Sequence, residues 1–151
     1  MNYEINKDTL AILPVNEDKS FVIEKDNEYI VDYRPYEVME HSCEYFGSSL
    51  DGRLKGSKNM LGTIYKAPIL VEESRNIIFF PTVSPLLVNN VWISLNNIDK
   101  YEKLGEKTKI YFKDGKDIIV DIPYLSFENQ ILRSSRLESI IRNRKNNQKN
   151  D

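Results

Sequence analysis

The sequence holds one histidine and one cysteine, His41 and Cys43, and side by side they invite a base and a nucleophile. Their spacing argues against it. Positions two apart in a helix lie about 200° round the axis and cannot meet, and in a strand a third group would still be needed to orient the base. Cys43 therefore reads as a small buried hydrophobe, no catalytic residue is assigned, and no enzymatic activity is expected. With a single His and a single Cys, a structural zinc site within the chain is excluded, and no metal or other cofactor is expected. The carboxylates of Glu72-Glu73 and of Asp114 and Asp117 fall in turn-like segments where solvation is the default. Glycines 47, 52, 56 and 62 match neither a P-loop nor a dinucleotide fingerprint. What remains is binding chemistry.

The cations carry that chemistry. The formal net charge is only −2, but it is unevenly spread. Through Asp51 there are 12 acids against 4 bases, or −8; from Gly52 onward there are 11 acids against 17 bases, or +6. A polyanion meets the surface field rather than the overall pI. The useful cations are Arg53, Lys55, Lys58, Lys66, Arg133 and Arg136, with Asn59, Asn129 and Gln130 as hydrogen-bonding amides. Arginine and lysine neutralise phosphates and enter a narrow, electronegative minor groove, where amides can read the acceptor-rich base edges. A solvated helix face has the same composition, and both readings stand. Tyr45, Phe46, Trp92 and Phe127 read as core residues rather than as wedges between base steps.

The elements that must position these residues follow from punctuation and period. At 151 residues, 40% apolar and 29% charged, the chain has the profile of one globular domain able to bury a core. The longest apolar runs, Ala67 to Val71 and Ile77 to Phe80, are too short to span a bilayer, and Glu4 and Asp8 sit where a signal peptide would be basic. A soluble cytoplasmic protein is expected. Short strands are expected at Thr9 to Leu13, Phe21 to Glu24 and Glu28 to Tyr33, then at Thr63 to Tyr65, Ile69 to Val71, Asn76 to Phe80 and Val91 to Leu95. Asn97 to Leu104 has no decisive period; a helical turn is what it suggests. Lys107 to Phe112 and Asp117 to Ile122 form a hairpin around Asp114-Gly115, which supplies the positive φ of a tight reversal.

Helices are expected at Tyr36 to Phe46, opened by Pro35 and stopped by Gly47, and at Ser49 to Leu61, capped by Ser48 or Ser49 and stopped by Gly62. On the second, Leu50, Leu54, Ser57, Met60 and Leu61 share one arc, with Gly52, Gly56 and Asn59 opposite. A helical glycine costs about 1 kcal/mol relative to alanine, so the pair suggests close approach by another backbone or a phosphate chain; a frayed segment with solvated lysines is the alternative. A last helix is expected from Phe127 to about Arg144, capped by Ser126, with Phe127, Ile131, Leu137 and Ile141 on a broad common arc, Arg136 opposite and Arg133 to one side, a division that Leu132 and Ile140 blur. Residues 1–145 would form the folded, strand-rich α+β domain with a central helical pair and a basic C-terminal helix. Residues 146–151 would be a disordered polar tail.

Ser42-Cys43, Phe46-Gly47-Ser48-Ser49, Gly52-Arg53, Ala67-Pro68-Ile69, Phe80-Pro81-Thr82, Trp92-Ile93-Ser94 and Ser126-Phe127-Glu128-Asn129-Gln130 resemble, in order and spacing, the ComK family of bacterial competence transcription factors. The likeness spans roughly Tyr29 to Leu137. It implies a transcriptional activator, cytoplasmic and nucleoid-associated, that binds double-stranded A/T-rich promoter boxes from the minor-groove side. It also implies self-association and control through a proteolytic adaptor. Longer members of the family continue beyond the basic helix, so a short, non-activating paralogue that works as a protein-interaction module or dominant-negative partner is the alternative expectation.

Overall fold

The computed structural model describes residues 2–62 and 65–150, the side chains of 149 and 150 excepted. Three strands open the chain: β1 (Thr9–Pro14), β2 (Ser20–Glu24) and β3 (Glu28–Val31). Two helices follow, α1 (Pro35–Tyr45) and α2 (Leu50–Leu61), then β4 (Ile69–Glu72), β5 (Ile77–Pro81) and β6 (Trp92–Ser94). These six strands make one antiparallel sheet in the order β3-β2-β1-β6-β5-β4. A second antiparallel sheet follows from β7 (Ile98–Leu104), β8 (Lys107–Phe112) and β9 (Asp117–Val120), and α3 (Tyr124–Asn150) closes the chain. The α+β class and the central helical pair are as the sequence implied.

Because successive strand residues point to opposite faces, the large sheet is covered on both sides. Ile12, Val22, Val71, Phe79 and Trp92 face α1 and α2, meeting Val38, Met39, Cys43 and Leu50. Their strand neighbours Ala11, Ile23, Phe80 and Ile93 turn the other way and meet the second sheet through Ile110, Phe112 and Val120. Phe127 joins this second cluster, its ring 5.5 Å from Phe80 and 5.0 Å from Tyr101. Further along, Leu137 and Ile141 of α3 pack on Leu70 and Ile78 with Met60 and Leu61 of α2 beside them. The last helix thus spans from the second sheet to the end of α2.

Local chemistry fixes the helix ends. Pro35 sits in the first turn of α1, where its missing N–H is harmless, and Gly47 beyond the helix adopts φ 85°, which favours glycine. The N-terminal segment is tied down by polar contacts. Ser42 Oγ accepts from the Ile5 N–H at 3.0 Å and donates to the Val38 carbonyl at 2.8 Å. The buried Tyr3 hydroxyl donates to Glu24 Oε2 at 2.5 Å and lies 2.6 Å from Thr9 Oγ1. At the other end, Lys145 Nζ donates to the Glu73 carbonyl at 2.8 Å and to Asn76 Oδ1 at 2.9 Å, pinning α3 to the β4–β5 turn.

Several expectations need correction. Ile98–Leu104 is a strand, paired along its length with β8; only Leu95–Asn97 forms a 3-10 turn. Helix α3 starts at Tyr124, because the Pro123 carbonyl accepts the Phe127 N–H at 3.1 Å, so Ser126 lies inside the first turn and caps nothing. The inward stripe of α3 runs through Phe127, Gln130, Ser134, Leu137 and Ile141, all buried, while Ile131 is only half-buried. The helix continues to Asn150, over residues for which the sequence offered nothing to pack. Tyr45, expected in the core, is 66% exposed, whereas Trp92 and Phe127 are fully buried. The strand expected at Thr63 to Tyr65 lies largely outside the described residues, and Tyr65 itself is in a bend.

Candidate nucleic-acid interface

Helix α2 is built at both ends as its sequence demands. Ser49, not Ser48, is the cap: its Oγ accepts the Gly52 N–H at 3.0 Å. Gly62, at φ 70°, stops the helix and donates its N–H to the Lys58 carbonyl at 2.7 Å. Leu50 and Ser57 are buried, Leu54 packs on the first core cluster, and Met60 and Leu61 pack on α3. The outer side carries Asp51, Gly52, Lys55, Lys58 and Asn59, all exposed. Lys55 pairs with Asp51 at 3.1 Å, but both are so exposed that the pair adds little stability. The two glycines differ. A Cβ at Gly52 would stand 3.0 Å from the capping Ser49 Oγ, whereas one at Gly56 would meet nothing nearer than Met60 Cε at 4.0 Å. No described backbone approaches Gly56, so packing within the chain does not account for it.

Arg53 leaves α2 by the other flank, about 140° from Lys58 at 100° per residue. It is half-buried, and its Nε has neither solvent nor a hydrogen-bond partner. Its charge is felt at Cys43: burial pushes that thiol up to about 11, and the nearby guanidinium only partly offsets the shift. A buried cysteine so protonated is a poor nucleophile. Arg53 is thus half-buried, close enough to Cys43 of α1 to act on its thiol, and set about 140° round the helix from Lys58.

Lys58 and Lys66 do come together. They line one groove of about 190 Å³ together with Leu54, Tyr65, Pro85 and Leu86. Among the described residues no carboxylate lines this groove and neither lysine has an ion-pair partner. Lys66 stands at φ 50°, a left-handed conformation uncommon for a residue other than glycine. Gln130 holds it there. The Gln130 Nε2 donates to the Lys66 carbonyl at 2.9 Å and to the Pro81 carbonyl at 2.7 Å, while its Oε1 accepts from Arg133 Nη1 at 3.0 Å. Fully buried, with both amide N–H groups and its Oε1 engaged within the fold, Gln130 is a brace that its burial keeps from a base edge. This corrects its assignment as a DNA-reading amide.

On α3, Asn129, Arg133 and Arg136 share an arc of about 60° beside the buried stripe. Asn129 and Arg136 are exposed; Arg133 is half-buried and spends one nitrogen on Gln130. Through the Gln130 brace this row is tied to the backbone of Lys66. Sequence reasoning missed the groove's apolar lining at Pro85 and Leu86. The signal was present: Leu86-Leu87-Val88 is an apolar triplet between Pro85 and Asn89-Asn90, in a segment otherwise composed as a turn. Among the described residues no cluster of three or more His, Cys, Asp or Glu could hold a metal, and no helix is long and apolar enough to cross a membrane.

Comparison with known proteins agrees with the motif pattern. The family model described as ComK protein matches residues 1–146. The competence transcription factor of Bacillus subtilis (strain 168) is 35% identical over 147 residues, which cover 95% of this chain and 77% of that protein. No solved structure matches. Two of the motifs that carried the resemblance, Phe80-Pro81-Thr82 and Ser126 to Gln130, meet where the Gln130 amide donates to the Pro81 carbonyl, and with the match running over nearly the whole length, the chain belongs to the ComK family.

Proposed function

We propose that this protein is a competence-type transcriptional activator that binds double-stranded A/T-rich DNA, largely through phosphates and the minor groove. The observation that carries the DNA assignment is the pair Lys58 and Lys66, unneutralised by any described residue and set on one groove beside a helix face that Gly52 and Gly56 keep free of side-chain bulk. Similarity to a named competence factor over 95% of the chain supports the regulatory role. Lys55, Lys58, Asn59 and Lys66 form one row of contacts, and Asn129, Arg133 and Arg136 a second. Arg53 and Gln130 support the rows from within. A/T tracts suit this arrangement because their minor groove is narrow and strongly negative. Residues 1–145 serve as the DNA-binding unit. Self-association would place several such surfaces on one promoter, and a proteolytic adaptor would set the protein's abundance.

The test is binding to duplexes with phased A/T tracts and to G/C-rich controls at several salt concentrations. Each phosphate neutralised contributes about 0.9 to the slope of log K against log salt. Replacing Lys58 and Lys66 by alanine should lower that slope by about 2 while leaving the thermal transition in place. If affinity is indifferent to both salt and base composition, DNA binding is lost as the function, and a protein-interaction role takes its place.

A further inference from the structure

The loop from Ser84 to Asn90, between β5 and β6, holds three apolar side chains in water: Leu86 is 73% exposed, Leu87 54% and Val88 60%. The loop is firmly built. Asn90, itself buried, accepts at Oδ1 from the Thr82 N–H at 3.0 Å and the Val83 N–H at 3.2 Å, and Thr82 Oγ1 accepts from the Val91 N–H at 3.1 Å. Within the loop the Leu87 N–H donates to the Ser84 carbonyl at 3.0 Å and the Asn90 N–H to the Leu87 carbonyl at 3.2 Å. Its apolar tip is therefore presented by a fixed backbone, and a contiguous exposed apolar patch marks a contact surface.

What the tip contacts is decided by charge. On one side Pro85 and Leu86 share with Lys58 and Lys66 a groove that no described carboxylate lines. On the other, Pro85 to Val88 border Glu17, Asp18 and Glu37, with Arg34 alone as a cation, 3.4 Å from Glu37. A phosphate chain is repelled from the second side and drawn to the first. A protein partner would have to bring acids to the lysines and an apolar pocket to the leucines. A nucleic acid brings both at once, phosphates outside and the apolar faces of sugars and bases within.

Resting on the DNA-binding assignment, we propose that Leu86 and Leu87 form a wedge that enters the minor groove beside the strand held by Lys58 and Lys66 and opens a base step. Proteins that approach DNA from this groove frequently insert phenylalanine, leucine, isoleucine, methionine or proline between base steps, partly unstacking them and bending the duplex. A/T-rich sites supply the TA steps that yield most easily. The acidic turn at Glu17-Asp18 sets the direction: DNA lies on the α2 side of the loop and ends there.

The experiment uses the full chain with an A/T-rich duplex carrying 2-aminopurine at a TA step, read with circular-permutation electrophoresis for bending, salt titration for phosphate contacts, and sedimentation for self-association. Wild-type protein should bend the duplex and brighten the probe. The Leu86→Ala/Leu87→Ala variant should lose most of both effects and about tenfold in affinity, the scale of a lost apolar contact, with the salt slope unchanged. Leu86→Asn, close in size but polar, should behave likewise, and neither exposed substitution should shift the thermal transition. Variants that bend DNA and brighten the probe as the parent does would overturn the wedge, as would a loss confined to self-association. Failure of the parent to bind DNA at all would overturn it together with the DNA assignment, and is told apart by the absence of any salt-dependent binding.

Discussion

Replacing Gln130 by methionine removes three hydrogen bonds while nearly preserving the side chain's shape, and so isolates the brace from cavity effects. The Pro81 carbonyl, buried, loses its donor, and an orphaned buried acceptor costs about 1–3 kcal/mol. The Lys66 carbonyl is only partly buried, so its loss is nearer to about 0.5–1.5 kcal/mol. The expected destabilisation is about 2–4 kcal/mol in all, which at about 2–4 °C per kcal/mol for a chain of this length lowers the melting temperature by roughly 4–16 °C. Urea and thermal denaturation would measure it. Arg133→Met alone should destabilise by leaving Oε1 unpaired, but should cost less once Gln130 is already methionine, giving a coupling above about 0.5 kcal/mol. A Gln130→Met protein within about 0.5 kcal/mol of the parent, or purely additive effects with Arg133→Met, would refute the brace.

Other perturbations test neighbouring points. Gly56→Ala should stabilise α2 by about 0.5–1 kcal/mol in denaturation, since its Cβ meets only Met60 Cε at 4.0 Å, yet weaken DNA binding if a phosphate chain lies over that face; Gly52→Ala should gain less because it crowds the cap. Tyr3→Phe leaves the buried Glu24 carboxylate one donor short and should cost about 1–3 kcal/mol. Burial, then Glu24, holds the Tyr3 phenol above its ordinary value, so the unfolded chain gives up this proton first; the stability it contributes is whole below about pH 10 and falls as pH rises past it, and the alkaline limb of a stability–pH curve should be shallower in Tyr3→Phe. Cys43, its thiol pushed up to about 11, should react with an alkylating reagent at pH 8 only as fast as the protein unfolds, as timed by mass spectrometry.

Elements marked by their own residues were legible in the sequence. Pro35, Gly47, Ser49 and Gly62 bracket the helical pair, and Asp114-Gly115 turns the β8–β9 hairpin with Gly115 at φ 96°. What depended on partners distant in the chain was not. β7 is mostly exposed, with only Ile98 and Tyr101 half-buried, so no alternation announced a strand; pairing with β8 makes it one. Ser126 has the chemistry of a cap, but Pro123 supplies the first helical acceptor, and side-chain preference cannot show which carbonyl will be there. Gln130 looked like an amide for DNA because its partners lie 64 and 49 residues away, at Lys66 and Pro81. Arg53 and Lys58 looked alike as charges, and only the direction in which each leaves α2 separates them. The lysine face was readable from charge and glycines, whereas the apolar residues that share its groove come from the β5–β6 loop, about 20 residues further along the chain.

The two-sided burial of the large sheet has a consequence for how the protein is made. Residues up to Ile93 can assemble the sheet and cover one face with α1 and α2, but the opposite face, with Leu10, Ala11, Ile23, Phe80 and Ile93, waits for β8, β9 and α3. At translation rates of about 5–20 residues per second, the ribosome needs roughly 2–10 s to carry the chain from Ile93 to Ile141. For that interval a nascent chain shows a broad greasy surface to its surroundings. Chaperones and quality-control proteases would meet it then, before the last helix closes over it.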